Sequence, residues 1–310
     1  MRTRVFLNPA AGRGRAARLW PELRSRLEGR LGPLELVRSE RPGHLTALAR
    51  AAVADGVRRF IAIGGDGSVN EVLNGMLDAE GRLLAEDSVL CPVPAGTANE
   101  LCRALGHLQR SDGAIDAASG NGSRRIDLTM TECRSLDGDH PVRRFGYLAT
   151  SFGSAAQISH DTSRSRVLKR FGGRFSYFAV TLIVTMSFRP RIVRLAFDGG
   201  ASESRKIHSG LCCNTANAGG GMLLAPGAEP DDGRLDYVEF GNMTRRDVLL
   251  QPPSWLYRGE HIRHPKVRKL ALARLRAESD IETLVDVDGE TVGRLPLTVS
   301  VLPRGFAVGV

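Results

Sequence analysis

The first part of this 310-residue chain repeats one local statement: a short apolar run of β-like composition, a turn rich in Gly, Asn or Pro, then an amphipathic helical run. "TRVFL" ends in "NPAAGRGRA", and "LELV" is followed by a helix predicted from about Gly43 to Ala54. "RRFIAI" is followed by "GGDG" and the helix "VNEVLNGML", and "SVLCPV" by "PAGT" and the helix "ANELCRAL". Strands that alternate with helices in this way close as a parallel sheet with flanking helices. The reading is therefore an α/β fold with an N-terminal three-layer domain over residues 1–127. On such a sheet the strand C-termini share one edge, where ligands bind.

From about Asp127 the pattern changes. "FGYLATS", "RIVRLAF", "RLDYVEF" and the closing "TLVDVDGETVGRLPLTVSVLPRGFAVGV" are β-like runs separated by Gly, Asp and Pro turns. They predict a β-rich, antiparallel sandwich-like or barrel-like second domain over 128–310, whose last strands can return toward the first domain, with one helical insertion within 164–188.

Two turns carry the same phrase, "GSVNE" and "GTANE". The spacing Ser68-x-x-Glu71, and again Thr97-x-x-Glu100, is that of a capping box at a helix N-terminus. Helix starts bind phosphate through N–H groups and the positive dipole end. Two of them on one sheet edge predict a two-sided grip on a polyphosphate. Glu71 and Glu100 then read as caps, Ser68, Thr97, Asn70 and Asn99 as polar contacts, and Asp66 as a residue linked to Mg²⁺. "NPAAG" is a third such turn, followed by Arg13, Arg15 and Arg18, cations that oppose the dipole unless an anion is present.

Further along, Asp286, Asp288 and Glu290 of "LVDVDGETVG" either alternate along a strand or flank an Asp-Gly hairpin. In the first case they share a face; in either, one can act as a general base. Asp231, Asp232 and Asp236 read as turn residues, or Asp232 as the holder of a hard cation with nearby carbonyl groups. His261 and His264 lack a third metal ligand.

Composition removes several classes. There is no Gly-x-x-x-x-Gly-Lys-Ser/Thr loop and no protein-kinase motif set. Five cysteines without Cys-x-x-Cys spacing predict neither a disulfide framework nor a zinc site, and fit a reducing cytoplasm. The N-terminus does not read as a signal peptide. The longest uncharged apolar stretch, 175–188, is shorter than the roughly 20 residues a spanning helix needs. Lys plus Arg exceed Asp plus Glu by 43 to 34, a net +9 that suits an anionic partner as well as simple solubility.

"NPAAG", "GGDGSVNEVLNG", "PAGTANELCRALG", "GGGMLLAPGAEPDDGRLDYV" and "DVDGE" occur in that order from about Val5 to beyond Glu290. Together they resemble the diacylglycerol kinase catalytic-domain family, which includes bacterial diacylglycerol kinases and sphingosine- and ceramide-kinase relatives. The resemblance implies an ATP-dependent lipid kinase with its active site between the two domains. ATP would lie against Asn8, Pro9, Ala10, Ala11 and Gly12, the loop of Gly64, Gly65, Asp66, Gly67, Ser68, Val69 and Asn70, and Gly96, Thr97 and Asn99. Ser39 stands where the family often has a nucleotide-contacting Thr. Mg²⁺ would be held by Asp232 with the main-chain carbonyls of Glu229 and Arg234, and a second Mg²⁺ would accompany ATP. Glu290 would be the general base, with Asp288 beside it.

The departures are small: Ser68 for Thr, no hydroxyl before Gly12 in "NPAAG", and Leu-Cys for Phe-Ala in "LCRALG". The substrate would be diacylglycerol or a related lipid at a membrane surface, with basic and hydrophobic residues of 164–189 meeting an anionic bilayer. A homodimer is compatible with the family, and nucleic acid is not expected as a partner. The rivals are an NAD kinase or phosphofructokinase-like enzyme, which shares Gly-Gly-Asp-Gly, and a nucleotide- or lipid-binding regulator that has lost catalysis.

Overall fold

The computed structural model describes residues 1–310 except 109–111, 165–183, 185–186 and 253. The chain divides into two units, Met1–Leu128 with Leu302–Val310, and Thr129–Val301.

The first unit alternates as its sequence pattern predicts. Its elements are β1 (Thr3–Leu7), α1 (Ala11–Leu31), β2 (Glu35–Arg38), α2 (His44–Ala54), β3 (Arg59–Gly64), α3 (Asp66–Met76), β4 (Val89–Pro94), α4 (Glu100–Ala104) and α5 (Gly113–Ser119). The strands pair in parallel in the order β2-β1-β3-β4, and Ala307 and Val308 extend the sheet by pairing in parallel with Val89 and Leu90. Every residue of β3 is buried, as expected of a strand covered on both faces.

Alternate residues serve opposite layers. Val5, Leu7, Ile61, Ile63 and Val93 pack with Ala16, Trp20 and Leu27 of α1 and with Ile115 and Ala118 of α5. Phe6 and Phe60, one position along, point the other way and stack at 5.5 Å. On that side α2 and α3 cross closely: a Cβ on Gly75 would lie 2.3 Å from the Thr46 carbonyl oxygen. The result is three layers. The register Leu7↔Arg38, Leu7↔Ile63 and Gly64↔Pro94 aligns the strand C-termini at one edge.

The second unit is antiparallel. It contains β5 (Ser123–Arg134, begun in the first unit), β6 (Pro141–Gly146), β7 (Ala149–Gly153), α6 (Ser154–Arg164), β8 (Arg191–Phe197), β9 (Glu203–Ile207), β10 (Ser209–Cys213), β11 (Leu235–Phe240), α7 (Arg245–Leu249), β12 (Val267–Leu272), β13 (Arg274–Glu278), β14 (Leu284–Val287) and β15 (Glu290–Gly309, whose last residues belong to the first unit). Pairing runs β12-β11-β10-β7-β14-β15, with β15-β13-β8-β9 and β5-β6 as further antiparallel ladders. Its core includes Phe152, Leu195, Tyr237, Leu275, Val285 and Val299, all nearly inaccessible. The run "FGYLATS" is not one strand. It breaks at Tyr147–Leu148 into the end of β6 and the start of β7. Most of the helical insertion predicted within 164–188, and of the basic segment 164–189, lies outside the described residues.

Candidate functional site

Three turns meet at the C-terminal edge of the parallel sheet. The first follows β1. Asn8 accepts the Ala10 N–H on its Oδ1 at 3.1 Å, closing an Asx turn over Pro9. Gly12, Arg13 and Gly14 then take φ of +57°, +60° and +79°, so α1 becomes regular only after this left-handed stretch. A side chain at Gly12 would sit 2.3 Å from the Ala95 carbonyl oxygen, which fixes the glycine by contact with the turn after β4. Ala10, Arg13, Arg15 and Arg18 are exposed, Ala11 is half-buried, and the three arginines form no ion pair among the described residues.

The second turn follows β3. Asn8 Nδ2 donates to Ser68 Oγ at 2.9 Å, and Ala95 N–H donates to the Gly64 carbonyl at 2.8 Å, tying all three turns together. Gly64 and Gly65 are required by proximity: a Cβ on Gly64 would come within 2.5 Å of the Ser68 side chain. One on Gly96 would come within 2.3 Å of Gly65 Cα. The glycine that opens the second phrase, Gly96, therefore touches Gly65, two residues before the first. Gly65 and Gly67 are half-buried at this edge, and Thr97 is exposed on the facing turn. Asn99 takes φ +52° and folds back, accepting the Gly96 N–H at 2.9 Å and donating to the Gly96 carbonyl at 3.2 Å. Ser39, just past β2, donates its N–H to the Leu7 carbonyl at 3.0 Å, which places it at the same edge.

The capping boxes are corrected. α3 begins at Asp66, with extended Gly65 as its N-cap and no side-chain cap bond, so Ser68 lies inside the first turn and is buried. Glu71 instead accepts the Gly43 and Leu45 N–H groups at 2.9 and 3.0 Å, and so caps α2. Nor does Thr97 cap α4, whose N-cap is Asn99. Asp66 Oδ1 receives the Leu101 N–H from that short helix at 3.3 Å. Glu100 is 2% exposed and paired with Arg103. Each carboxylate serves a neighbouring helix or a basic side chain, which a cap spacing read along one segment does not reveal. Val69 is buried with its N–H on the Gly65 carbonyl, and buried Asn70 bonds Asn74, so neither side chain reaches the turn surface.

In the second unit the Asp-Gly reading of "DVDGE" is the one realised. Asp288 and Gly289 have φ of +52° and +90°, and Val287 pairs with Glu290 across a two-residue turn. The three acids thereby separate. Asp288 accepts N–H bonds from Tyr147, Leu148 and Ala149 at 2.9, 2.9 and 3.0 Å. Both of its oxygens accept from the break between β6 and β7, so this carboxylate also clamps that bend. Glu290 is exposed and paired with Arg144 at 2.8 Å. Asp286 is buried, takes the Gly289 N–H at 3.0 Å on Oδ1, and leaves Oδ2 without a hydrogen bond. Burial pushes its pKa up to about 7, reinforced by the charges of Asp288 and Glu290 and opposed by Ser159 and the Gly289 N–H. The Ser159 hydroxyl itself donates to the Gly289 carbonyl at 2.9 Å.

The remaining candidates sort plainly. Asp232 Oδ1 accepts the Arg234 N–H at 2.9 Å within a turn that contains Gly233 at φ +75°. The donors expected here, Asp232 and the Glu229 and Arg234 carbonyls, are all hard oxygens, the chemistry that suits Mg²⁺. Asp236 is paired with Lys269 at 2.9 Å and does not join it. His261 is a core residue: fully buried, bonded to the Leu224 carbonyl at 2.9 Å and stacked on Phe240, with its pKa lowered by burial. No cluster of three or more His, Cys, Asp or Glu side chains among the described residues could hold a metal. All five cysteines are buried free thiols.

The architecture is thus a parallel α/β unit with glycine turns abutting at one sheet edge, and an antiparallel β unit. The description "Diacylglycerol kinase catalytic domain" matches residues 2–131, and "YegS C-terminal NAD kinase beta sandwich-like domain" matches residues 149–310. The chain belongs to the diacylglycerol kinase catalytic-domain family, with a C-terminal domain of the YegS type, and it is a kinase. Among relatives, a diacylglycerol kinase of Staphylococcus aureus is 29% identical over 309 residues, covering 99% of this chain and 91% of that protein. A crystal structure of a diacylglycerol kinase from Bacillus anthracis superposes with a TM-score of 0.70 at 18% identity, covering 99% and 96% of the two chains. Yeast NADH kinase shares the fold at a TM-score of 0.51 and 9% identity, covering 99% and 82%.

Proposed function

We propose that this kinase transfers the γ-phosphate of ATP to a hydroxyl of diacylglycerol or a closely related lipid, with Mg²⁺. The observation that carries the nucleotide half is the mutual contact of the three turns. Gly12 against Ala95 and Gly65 against Gly96 hold the three turns edge to edge, and the α3 N-terminus adds its positive dipole end, which favours an anion. Asn8 and Ser68 hold that arrangement from beneath. Arg13, Arg15 and Arg18 supply positive charge around the first turn.

Phosphoryl transfer relies mainly on positioning and charge stabilisation. Asp232 with the Glu229 and Arg234 carbonyls would hold one Mg²⁺, whose charge offsets nearby anionic groups. A second Mg²⁺ would travel with ATP, near Asp66. Glu290 accepts the proton of the attacking lipid hydroxyl. Its exposure leaves it able to reach substrate, and Arg144 orients it. Asp288 and Asp286 hold the turn on which Glu290 stands. Residues of 164–189 are the first candidate for bilayer contact, a cytoplasmic setting fits the free thiols, and a homodimer is an added proposal.

The fold shared with an NADH kinase keeps a dinucleotide substrate as the second reading. A radiolabelled-ATP assay offering diacylglycerol, sphingosine and NAD decides between them. Incorporation into NAD alone would refute the lipid reading, and ATP binding without turnover on any acceptor would point to a regulator.

A further inference from the structure

Between β11 and β12 the chain makes an excursion, residues 244–263, that is oddly apolar on its outside. Leu249 and Leu250, at the end of α7, are 63% and 80% exposed, and Tyr257 and Ile262 are 38% exposed each. Two adjacent leucines this open are uncommon on a surface whose only neighbour is water. The excursion is not loosely held. Thr244 and Asp247 form a complete capping box at the start of α7, and Lys266 reaches Asp247 at 2.5 Å. Trp255 packs edge-on against Phe240 and His261. The apolar tip is thus presented by a fixed base.

The exposed charges of residues 244–263 are mostly of one sign. Arg245, Arg246, Arg258 and Arg263 are all exposed. The acids within the excursion are Asp247, neutralised by Lys266, and Glu260, which lies 3.9 Å from Arg258. Apolar side chains on a segment that also exposes arginines suit a surface that is greasy beneath and anionic above. A second copy of this chain fits poorly, because a two-fold contact would bring the same arginines against each other.

We propose that residues 244–263 dock on an anionic lipid bilayer, with Leu249 and Leu250 entering the headgroup region and the arginines against lipid phosphates. The segment is separate in sequence from 164–189. Its purpose rests on the lipid-kinase reading, but its existence does not.

The test is co-sedimentation of the full chain with phosphatidylcholine vesicles, with and without phosphatidylglycerol. The wild type binds the anionic vesicles at least tenfold more tightly, and 0.5 M salt removes most of the difference. Leu249→Ser/Leu250→Ser lowers binding at least tenfold, and Arg246→Ser/Arg263→Ser abolishes the preference for anionic lipid. Both variants keep the wild-type melting temperature and the wild-type rate on a water-soluble short-chain diacylglycerol. A leucine variant that binds vesicles like the wild type, or a wild type that binds none, overturns the proposal. So does a concentration-dependent dimer, seen by analytical ultracentrifugation, that the leucine variant abolishes. A wild type that binds anionic vesicles but phosphorylates no diacylglycerol removes the substrate reading and leaves the docking surface supported.

Discussion

Replacing Asp286 by Asn tests whether a neutral carboxyl is built in beneath the Glu290 turn. Its pKa lies at about 7 against an ordinary 3.8, because burial disfavours the charged form and Asp288 and Glu290 add like charge. Other groups facing it are the Ser159 hydroxyl and the Gly289 N–H, both of which favour ionisation. The folded protein therefore holds this proton more tightly than the unfolded chain. As pH rises from about 4 to 7 the unfolded state releases it first, and stability falls; below both pKa values nothing is lost. At about 1.4 kcal/mol per pKa unit the full penalty is roughly 4 kcal/mol, of which about 2–3 kcal/mol develops between pH 5 and pH 8.

Asn keeps an oxygen for the Gly289 N–H and cannot ionise. It also places an amide donor where Oδ2 has no partner, a pH-independent loss of about 1–3 kcal/mol. The expected result from urea denaturation is a stability difference, variant minus wild type, that grows by about 2–3 kcal/mol from pH 5 to pH 8. A difference constant within about 0.5 kcal/mol would refute the reasoning, because Asp286 would then ionise as readily folded as unfolded.

Three further outcomes follow from the same geometry. Glu290→Gln lowers kcat by about 10²- to 10⁴-fold, the range of a lost general base, with an unchanged melting temperature; an unchanged rate removes its role. Gly96→Ala drives a Cβ to 2.3 Å from Gly65 Cα, so the turns separate and ATP affinity, measured by calorimetry, drops at least tenfold. Glu71→Ala leaves two N–H groups of α2 without their acceptor and costs about 1–3 kcal/mol in urea denaturation, while kcat stays within about twofold because Glu71 is a cap.

Much of the first unit was legible because strand and helix periodicity are local: β3 and β4 sit within one residue of the runs that announced them. The site residues were legible by type and less so by role. Glu71 was recognised as a cap but assigned to the wrong helix, since α2 meets it only after the layers pack. That Asp288 also clamps a bend was hidden, because sequence proximity says nothing of Tyr147, Leu148 and Ala149, whose N–H groups arrive from some 140 residues away. The break in "FGYLATS" was hidden for the same reason: its apolar composition suits a strand, and the carboxylate that stabilises the bend lies elsewhere. Arg144 carried no local signal at all.

The return of residues 302–310 to the first unit has a consequence for biosynthesis. Phe306 and Val308 are fully buried there, and Val308 pairs with Leu90 of β4. The segment translated first is thus the one finished last, since its sheet lacks a strand until some 170 intervening residues have emerged from the ribosome. A fragment cut after Leu128 would expose the flank of β4 and invite pairing with other chains. The first unit is accordingly not a detachable module, and a deletion of the last nine residues would be felt at the beginning of the chain.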